Sequence, residues 1–345
     1  MAKKKLSIYS LLFIFVLSLC FLFGQSTLVL AKSNGEFIVY GSGEEEYVSV
    51  AVKEFTDATG IEARYLRLST GECFNRLRAE KDNPKASIWF MGPGDVYRVA
   101  ATEGLLHPYI SDSAENIDAS LKDSEGYWTT YVRVPFGFVS NKELLDKAGL
   151  PVPTSWYDLL DPKYKGQVVL PDPFTSGTAY TILSSLVTLL GEDEAFKYLE
   201  DLDKNILQYT KSGSAPGRMV GNGEAMVGII FISNAVEQQK QGYPLTISVP
   251  KEGVGYSQEL TAIIAGAPAL DDAKAFIDWI LSEKGQTTMQ GHFKTFLYSN
   301  PAIPIAEEAA ETFKNLKLID RDMVWAANES ERLKEKFHSE IFLNR

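Results

Sequence analysis

Four loops rich in Gly, Ser and Thr recur where an extended pattern gives way to a helical one: Gly41-Ser42-Gly43, Ser69-Thr70-Gly71, Thr175-Ser176-Gly177-Thr178 and Ser212-Gly213-Ser214. A strand, a tight loop and a helix repeated along one chain predict an open sheet with helices on its faces. Glu36 to Tyr40 reads as a buried strand, and Tyr47, Val48, Ala51, Val52 and Phe55 then form one helical stripe with acids in its first turn. Thr59-Gly60 stops that helix, Ile61 to Leu66 resumes as a strand, and Ala86 to Met91 gives a third, ended by Gly92-Pro93-Gly94. A second set begins near Pro135, with strands at Gly166 to Pro171 and Ala225 to Ile232 and helices from Ala179 and from near Ser214. Ala262 to Ala265 reads as a further strand, and Asp271 to Ser282 as an amphipathic helix with Ala273, Phe276, Ile277 and Ile280 inward. From Ile305 the tail is helical and charged, and no repeat or Gly/Ser linker interrupts the chain. Two lobes would therefore be joined by ordered segments that act as a hinge rather than a tether.

Residues 1–31 carry Lys3 to Lys5, then an uncharged run from Leu11 to Phe23, then Val29-Leu30-Ala31 where a signal peptidase reads. The run is short for a membrane span and polar sequence follows it, which predicts a secretory signal peptide rather than a retained anchor. Leu17-Ser18-Leu19-Cys20 is also a loose lipobox, so Cys20 offers an acyl tether. Loss of the leader would leave 31 basic against 45 acidic side chains, a net charge of −14. A polyanion with no basic stripe is repelled by phosphate backbones, which argues against nucleic acid as a partner. Two cysteines, Cys20 and Cys73, exclude a disulfide framework because the first lies in the leader. The three histidines, His107, His292 and His338, leave little for a His-based metal site or an acid–base pair, and no Gly-x-Ser-x-Gly elbow precedes a helix.

In an open sheet the strand-to-helix loops gather at one edge, where ligands bind. Helix N-termini supply unpaired N–H groups and a partial positive charge, and glycine lets a ligand reach the backbone. Each Ser or Thr there also has the simpler role of capping its helix. The candidate contacts to an anion are Ser42, Ser69, Thr70, Thr175, Ser176, Gly177, Thr178 and Ser214, with Arg67 as a planar donor fork. Glu44 and Glu259 are either solvated or accept hydrogen bonds from ligand hydroxyls or an ammonium group. Tyr256 and Trp128 pack either the ligand's carbon body or the core.

Tyr40-Gly41-Ser42-Gly43 with Glu54-Phe55-Thr56-Asp57-Ala58-Thr59-Gly60-Ile61 resembles the opening of bacterial extracellular solute-binding proteins. Leu68-Ser69-Thr70-Gly71-Glu72, Pro173 to Thr178, Ser212 to Pro216, Pro250-Lys251-Glu252-Gly253 and Phe276 to Ser282 carry the resemblance further, from about Phe37 to Gln286. The ferric-binding-like branch, whose members serve ABC importers, is the most similar in form. The resemblance implies a two-lobed clamshell, each lobe a mainly parallel α/β sheet flanked by helices. Lobe one would be 36–134 plus 251–304, lobe two 135–250, and 305–345 a helical segment across the back, with hinge crossovers near Val134 and Val249. It implies a monomeric binder, with no catalysis and no cofactor, that delivers a small anionic solute to a permease in the inner membrane. The paired tyrosines that hold iron in that branch are replaced around Ile232-Ser233-Asn234, whereas the anion loop Thr175-Ser176-Gly177-Thr178 matches. The resemblance thus implies a phosphate- or phosphonate-bearing ligand. The alternative is ferric iron held by atypical ligands such as Glu44 and Tyr256.

Overall fold

The computed structural model describes residues 36–344, so the leader, with Cys20, lies outside the described residues. The chain opens with β1 (Ile38–Gly41), α1 (Glu45–Thr59), β2 (Arg64–Arg67), α2 (Thr70–Ala79), β3 (Ile88–Pro93), α3 (Gly94–Thr102) and β4 (Leu106–His107). These obey the strand–loop–helix rule. β1 pairs in parallel with β2 and with β3. Val48 presses so closely on the end of β1 that a Cβ at Gly41 would stand 2.4 Å from its Cγ2, and only glycine admits that approach.

A 12-residue strand, β5 (Thr129–Ser140), then runs through Pro135, near which the second α/β set was expected to begin. Its first part pairs antiparallel with a later strand as far as Pro135, and its second part pairs with another from Phe136 onward. Proline sits at the change of partner, where its missing N–H removes little from either ladder. After it come α4 (Lys142–Ala148), β6 (Val168–Pro171), α5 (Gly177–Leu190), α6 (Glu192–Asp203), β7 (Ile206–Thr210), α7 (Ala215–Gly221), β8 (Val227–Phe231), α8 (Ile232–Lys240) and β9 (Thr246–Ser248). The chain returns along β10 (Tyr256–Ile264), then α9 (Leu270–Leu281), α10 (Glu283–His292) and β11 (Leu297–Tyr298). It ends in α11 (Glu307–Phe313), α12 (Met323–Asn328) and α13 (Ser330–Glu340).

The strands lie in the order β2-β1-β3-β10-β5-β8-β6-β7, with β2, β1 and β3 parallel in one half and β8, β6 and β7 parallel in the other, as expected. β10 runs antiparallel to β3, β4 and β5, and β5 runs antiparallel to β8 and β9. The antiparallel pairs at the centre have a simple cause. β5 and β10 each enter the sheet without a crossover helix, so nothing forces them to run the same way.

One core gathers Phe37, Val48, Phe55, Phe90, Phe276 and Ile280 against α1 and α9, with Phe55 and Phe276 edge to face at 5.2 Å. A second gathers Phe136, Phe138, Trp156, Leu183, Leu186 and Ile229. The tail carries three α-helices among its described residues. Leu333 and Phe337 of α13 enter the second core, and the Tyr180 hydroxyl of α5 donates to the Ala326 carbonyl of α12. Among the described residues no helix is long and apolar enough to cross a membrane.

Candidate functional site

A cavity of about 380 Å³ opens where the strand-to-helix loops of both halves of the sheet meet. Eleven of the twelve residues expected from sequence line it: Ser42, Glu44, Arg67, Ser69, Thr70, Thr175, Ser176, Gly177, Thr178, Ser214 and Glu259. That volume suits a small metabolite and exceeds what a bare ion requires.

Ser42 follows β1. Its N–H donates to the Phe90 carbonyl, and its hydroxyl oxygen accepts the Trp89 indole N–H at 2.7 Å. The oxygen is thereby committed as an acceptor, and its proton remains for a ligand. Cys73 lies beside it, but burial pushes that thiol up to about 11, so it stays neutral and a weak partner. Next to this loop Met91 takes φ 59°, the only non-glycine residue with positive φ among those described. That backbone costs about 1–2 kcal/mol and is tolerated where packing over-determines it. Arg67, on edge strand β2, donates from Nε to the Gly43 carbonyl at 3.2 Å, which fixes the guanidinium over the loop.

The two helix N-termini facing the cavity differ in one decisive respect. At α2, Ser69 and Glu72 form a capping box, in which the Glu72 carboxylate accepts the Ser69 N–H at 2.7 Å and the Ser69 hydroxyl accepts the Glu72 N–H at 3.3 Å. Those bonds hold the Glu72 carboxyl below its usual range. An anionic group already occupies that helix end. At α5 the Ser176 hydroxyl caps the Ala179 N–H at 3.4 Å, and the first turn holds no acid. The Thr175 and Ser176 N–H groups bond back to Asp172, leaving those of Gly177 and Thr178 without a partner inside the described residues.

The loop after β7 completes this end. A Cβ on Gly213 would lie 2.2 Å from Thr178 Oγ1 and 2.9 Å from Ser176 Oγ, so the two loops touch edge to edge only because residue 213 has no side chain. Lys211 lines the cavity and forms no ion pair among the described residues. From the middle of the sheet, Ser257 donates to Glu259 at 2.6 Å. The cavity thus carries two cations, Arg67 and Lys211, and two carboxylates, Glu44 and Glu259.

Tyr256 is the exception. It is 8% exposed, lines a different cavity, and packs under the Arg133 guanidinium. Successive side chains of a strand face opposite ways, so Ser257 meets the cleft and Tyr256 does not. Glu44 and Tyr256 therefore do not converge as a donor pair. Trp128 is core, 4% exposed beneath Arg98. Sequence reasoning missed Lys211, Ser257, Tyr47 and Met91 as lining residues. Alternation along β10 is the signal that would have found Ser257, had the strand been recognised over its full length.

A model of the family described as bacterial extracellular solute-binding protein matches residues 93–323. The chain belongs to that family. A solved structure of the periplasmic binding protein AfuA from Actinobacillus pleuropneumoniae, with exogenous fructose-6-phosphate bound, is 36% identical with a TM-score of 0.76, covering 90% of this chain and 100% of that one. A putative 2-aminoethylphosphonate-binding periplasmic protein of Salmonella typhimurium is 28% identical over 290 residues, 82% of each chain. Iron-bound HitA from Pseudomonas aeruginosa shares the fold at 19% identity, with a TM-score of 0.75 and coverage of 88% and 99%.

Proposed function

We propose that this solute-binding protein captures a small organic anion bearing a phosphate or phosphonate, and delivers it to an ABC permease in the membrane without chemically changing it. The observation that carries the reading is the acid-free N-terminus of α5 meeting the Ser212-Gly213-Ser214 loop, with Lys211 beside it. The phosphoryl oxygens would take the Gly177 and Thr178 N–H groups and the Ser176 and Thr178 hydroxyls. A hydrogen bond to a charged oxygen contributes about 1.5–3 kcal/mol net. Four give about 6–12 kcal/mol before association costs, which brackets micromolar affinity.

Glu44 and Glu259 would accept hydrogen bonds from hydroxyl or ammonium groups at the ligand's other end, and Arg67 would bridge the two. Two similar proteins support this division. One was solved with a sugar phosphate, and the other is named for an aminophosphonate. The proposal includes closure of two lobes, 36–134 with 251–304 and 135–250, about crossovers near Val134 and Val249. It also includes export by residues 1–31, a tether at Cys20 as an optional anchor, and a monomeric binder.

A thermal-shift and calorimetric screen of fructose-6-phosphate, 2-aminoethylphosphonate, inorganic phosphate and ferric citrate tests the reading. A phosphoryl compound at 100 times its dissociation constant should stabilise the fold by about 2.7 kcal/mol. No shift with any phosphoryl compound, together with a visible charge-transfer band on adding ferric citrate, would replace this reading with iron carriage.

A further inference from the structure

A second cavity of about 550 Å³ adjoins the other face of the central strands β5 and β10. Val134 and Ser257 line the cleft, while their chain neighbours Arg133 and Tyr256 line this cavity, as strand alternation requires. Its wall also includes Asn116, Asp118, Asn300 and Asp320. Leu318, two residues before Asp320 and also in the wall, packs against the second core, so the cavity touches both halves of the fold.

Arg133 is the unusual member. It is half-buried, its Nε has no hydrogen-bond partner, and its guanidinium lies 5.7 Å from the Tyr256 ring centroid. This guanidinium, held on strands at the middle of the sheet, forms no ion pair within 4 Å among the described residues and is incompletely hydrogen-bonded, although it lies near enough to Asp118 to help hold that carboxyl low. Its geometry matches a planar carboxylate or a phosphate. A simple anion would nevertheless meet Asp118 and Asp320 in the same cavity. Asp118 is already engaged by the Ser120 N–H and hydroxyl, whereas Asp320 accepts no hydrogen bond among the described residues. One guanidinium beside two carboxylates suits a ligand that carries both signs.

We infer that this rear cavity is a second ligand site, for a small zwitterion of the amino-acid class. Its carboxylate pairs with Arg133 and its ammonium group lies toward Asp118 and Asp320. The site shares no lining residue with the cleft that takes the phosphoryl ligand. Because it contacts both halves of the fold behind the strands about which the lobes would rotate, its occupancy couples to closure, and the coupling is reciprocal.

The test uses the full mature chain in thermal-shift and calorimetric titrations with a panel of free L-amino acids, and with acetate and methylammonium as single-charge controls. At least one amino acid should raise the melting temperature by about 2 °C or more at millimolar concentration while neither control does. Arg133→Gln and Asp320→Asn should each weaken that binding at least about fivefold, and Gly213→Ala in the cleft should leave it unchanged. Asp320 is exposed, so its variant folds even where the Arg133 change destabilises the sheet. The inference is overturned if no amino acid binds, if binding survives Asp320→Asn at full strength, or if Gly213→Ala abolishes it. The last result would place the amino acid in the cleft.

Discussion

The Trp89 indole nitrogen and the Ser42 hydroxyl are joined by a 2.7 Å hydrogen bond from the buried side of the sheet to the wall of the cleft. Trp89 is fully buried and stacks on Tyr97 with ring centroids 4.0 Å apart, so the donor cannot turn away. Ser42→Ala should therefore cost twice. The orphaned indole N–H should lower stability by about 1–3 kcal/mol, and loss of the Ser42 proton should weaken ligand binding. Thermal unfolding and calorimetry on the same variant separate the two. Unchanged affinity would mean that Ser42 only satisfies Trp89.

Gly213→Ala is a purely steric probe of the anion end. The new methyl would stand 2.2 Å from Thr178 Oγ1 and 2.7 Å from its Cβ, so the two loops must move apart to make room. Affinity for the phosphoryl ligand should fall more than about tenfold, which is 1.4 kcal/mol. The backbone at residue 213 is not left-handed, so the cost to the fold is that of the overpacked contact alone, about 1–3 kcal/mol. Wild-type affinity in calorimetry would show that the contact between these two loops does not shape the binding site.

Ser176→Ala keeps the backbone N–H but removes both a hydroxyl and a helix cap. It should lower stability by about 1 kcal/mol. It should also cost binding about 1–3 kcal/mol, roughly 5- to 150-fold. Thr178→Pro removes an N–H outright at the second position of α5, where proline is tolerated by the helix. Its effect on affinity should be the larger. If both variants bind within about twofold of the parent in calorimetry, the α5 terminus holds no anion.

Glu192, at the start of α6, accepts hydrogen bonds from Arg332 and Lys336 of α13, and these hold its carboxyl down at about 2. A depressed carboxyl stabilises the fold above its unfolded value near 4.5, and that contribution is lost as pH falls toward 2. The network is at the surface, so solvent screening limits it to about 1 kcal/mol. Glu192→Gln should melt lower than the parent at pH 7 and converge with it near pH 2. A constant gap across a pH series of melting curves would assign the effect to packing instead of charge.

The local chemistry of the cleft was legible because it is local. The capping box at Ser69 and Glu72 closes within four residues, and the α5 start at Ser176 needs only its own turn. Glycine, hydroxyl and helix period declare such features wherever they stand, and the strand-to-helix rhythm of β1 to α2 follows for the same reason. What the sequence could not decide depended on distant partners. A second set was read as beginning near Pro135, yet β10 on one side and β8 on the other hold the chain there in one strand. Whether Tyr256 or Ser257 faces the ligand turns on the register of β10 against β5, because a one-residue slip reverses every side chain. The approach of Gly213 to Thr178 and of Lys211 to the same cavity required β6 and β7 to pair side by side. Sequence alone supplied the donors and the order of elements. Pairing between residues far apart in the chain chose which donors meet, since those contacts offset the entropy of closing long loops only in the assembled sheet.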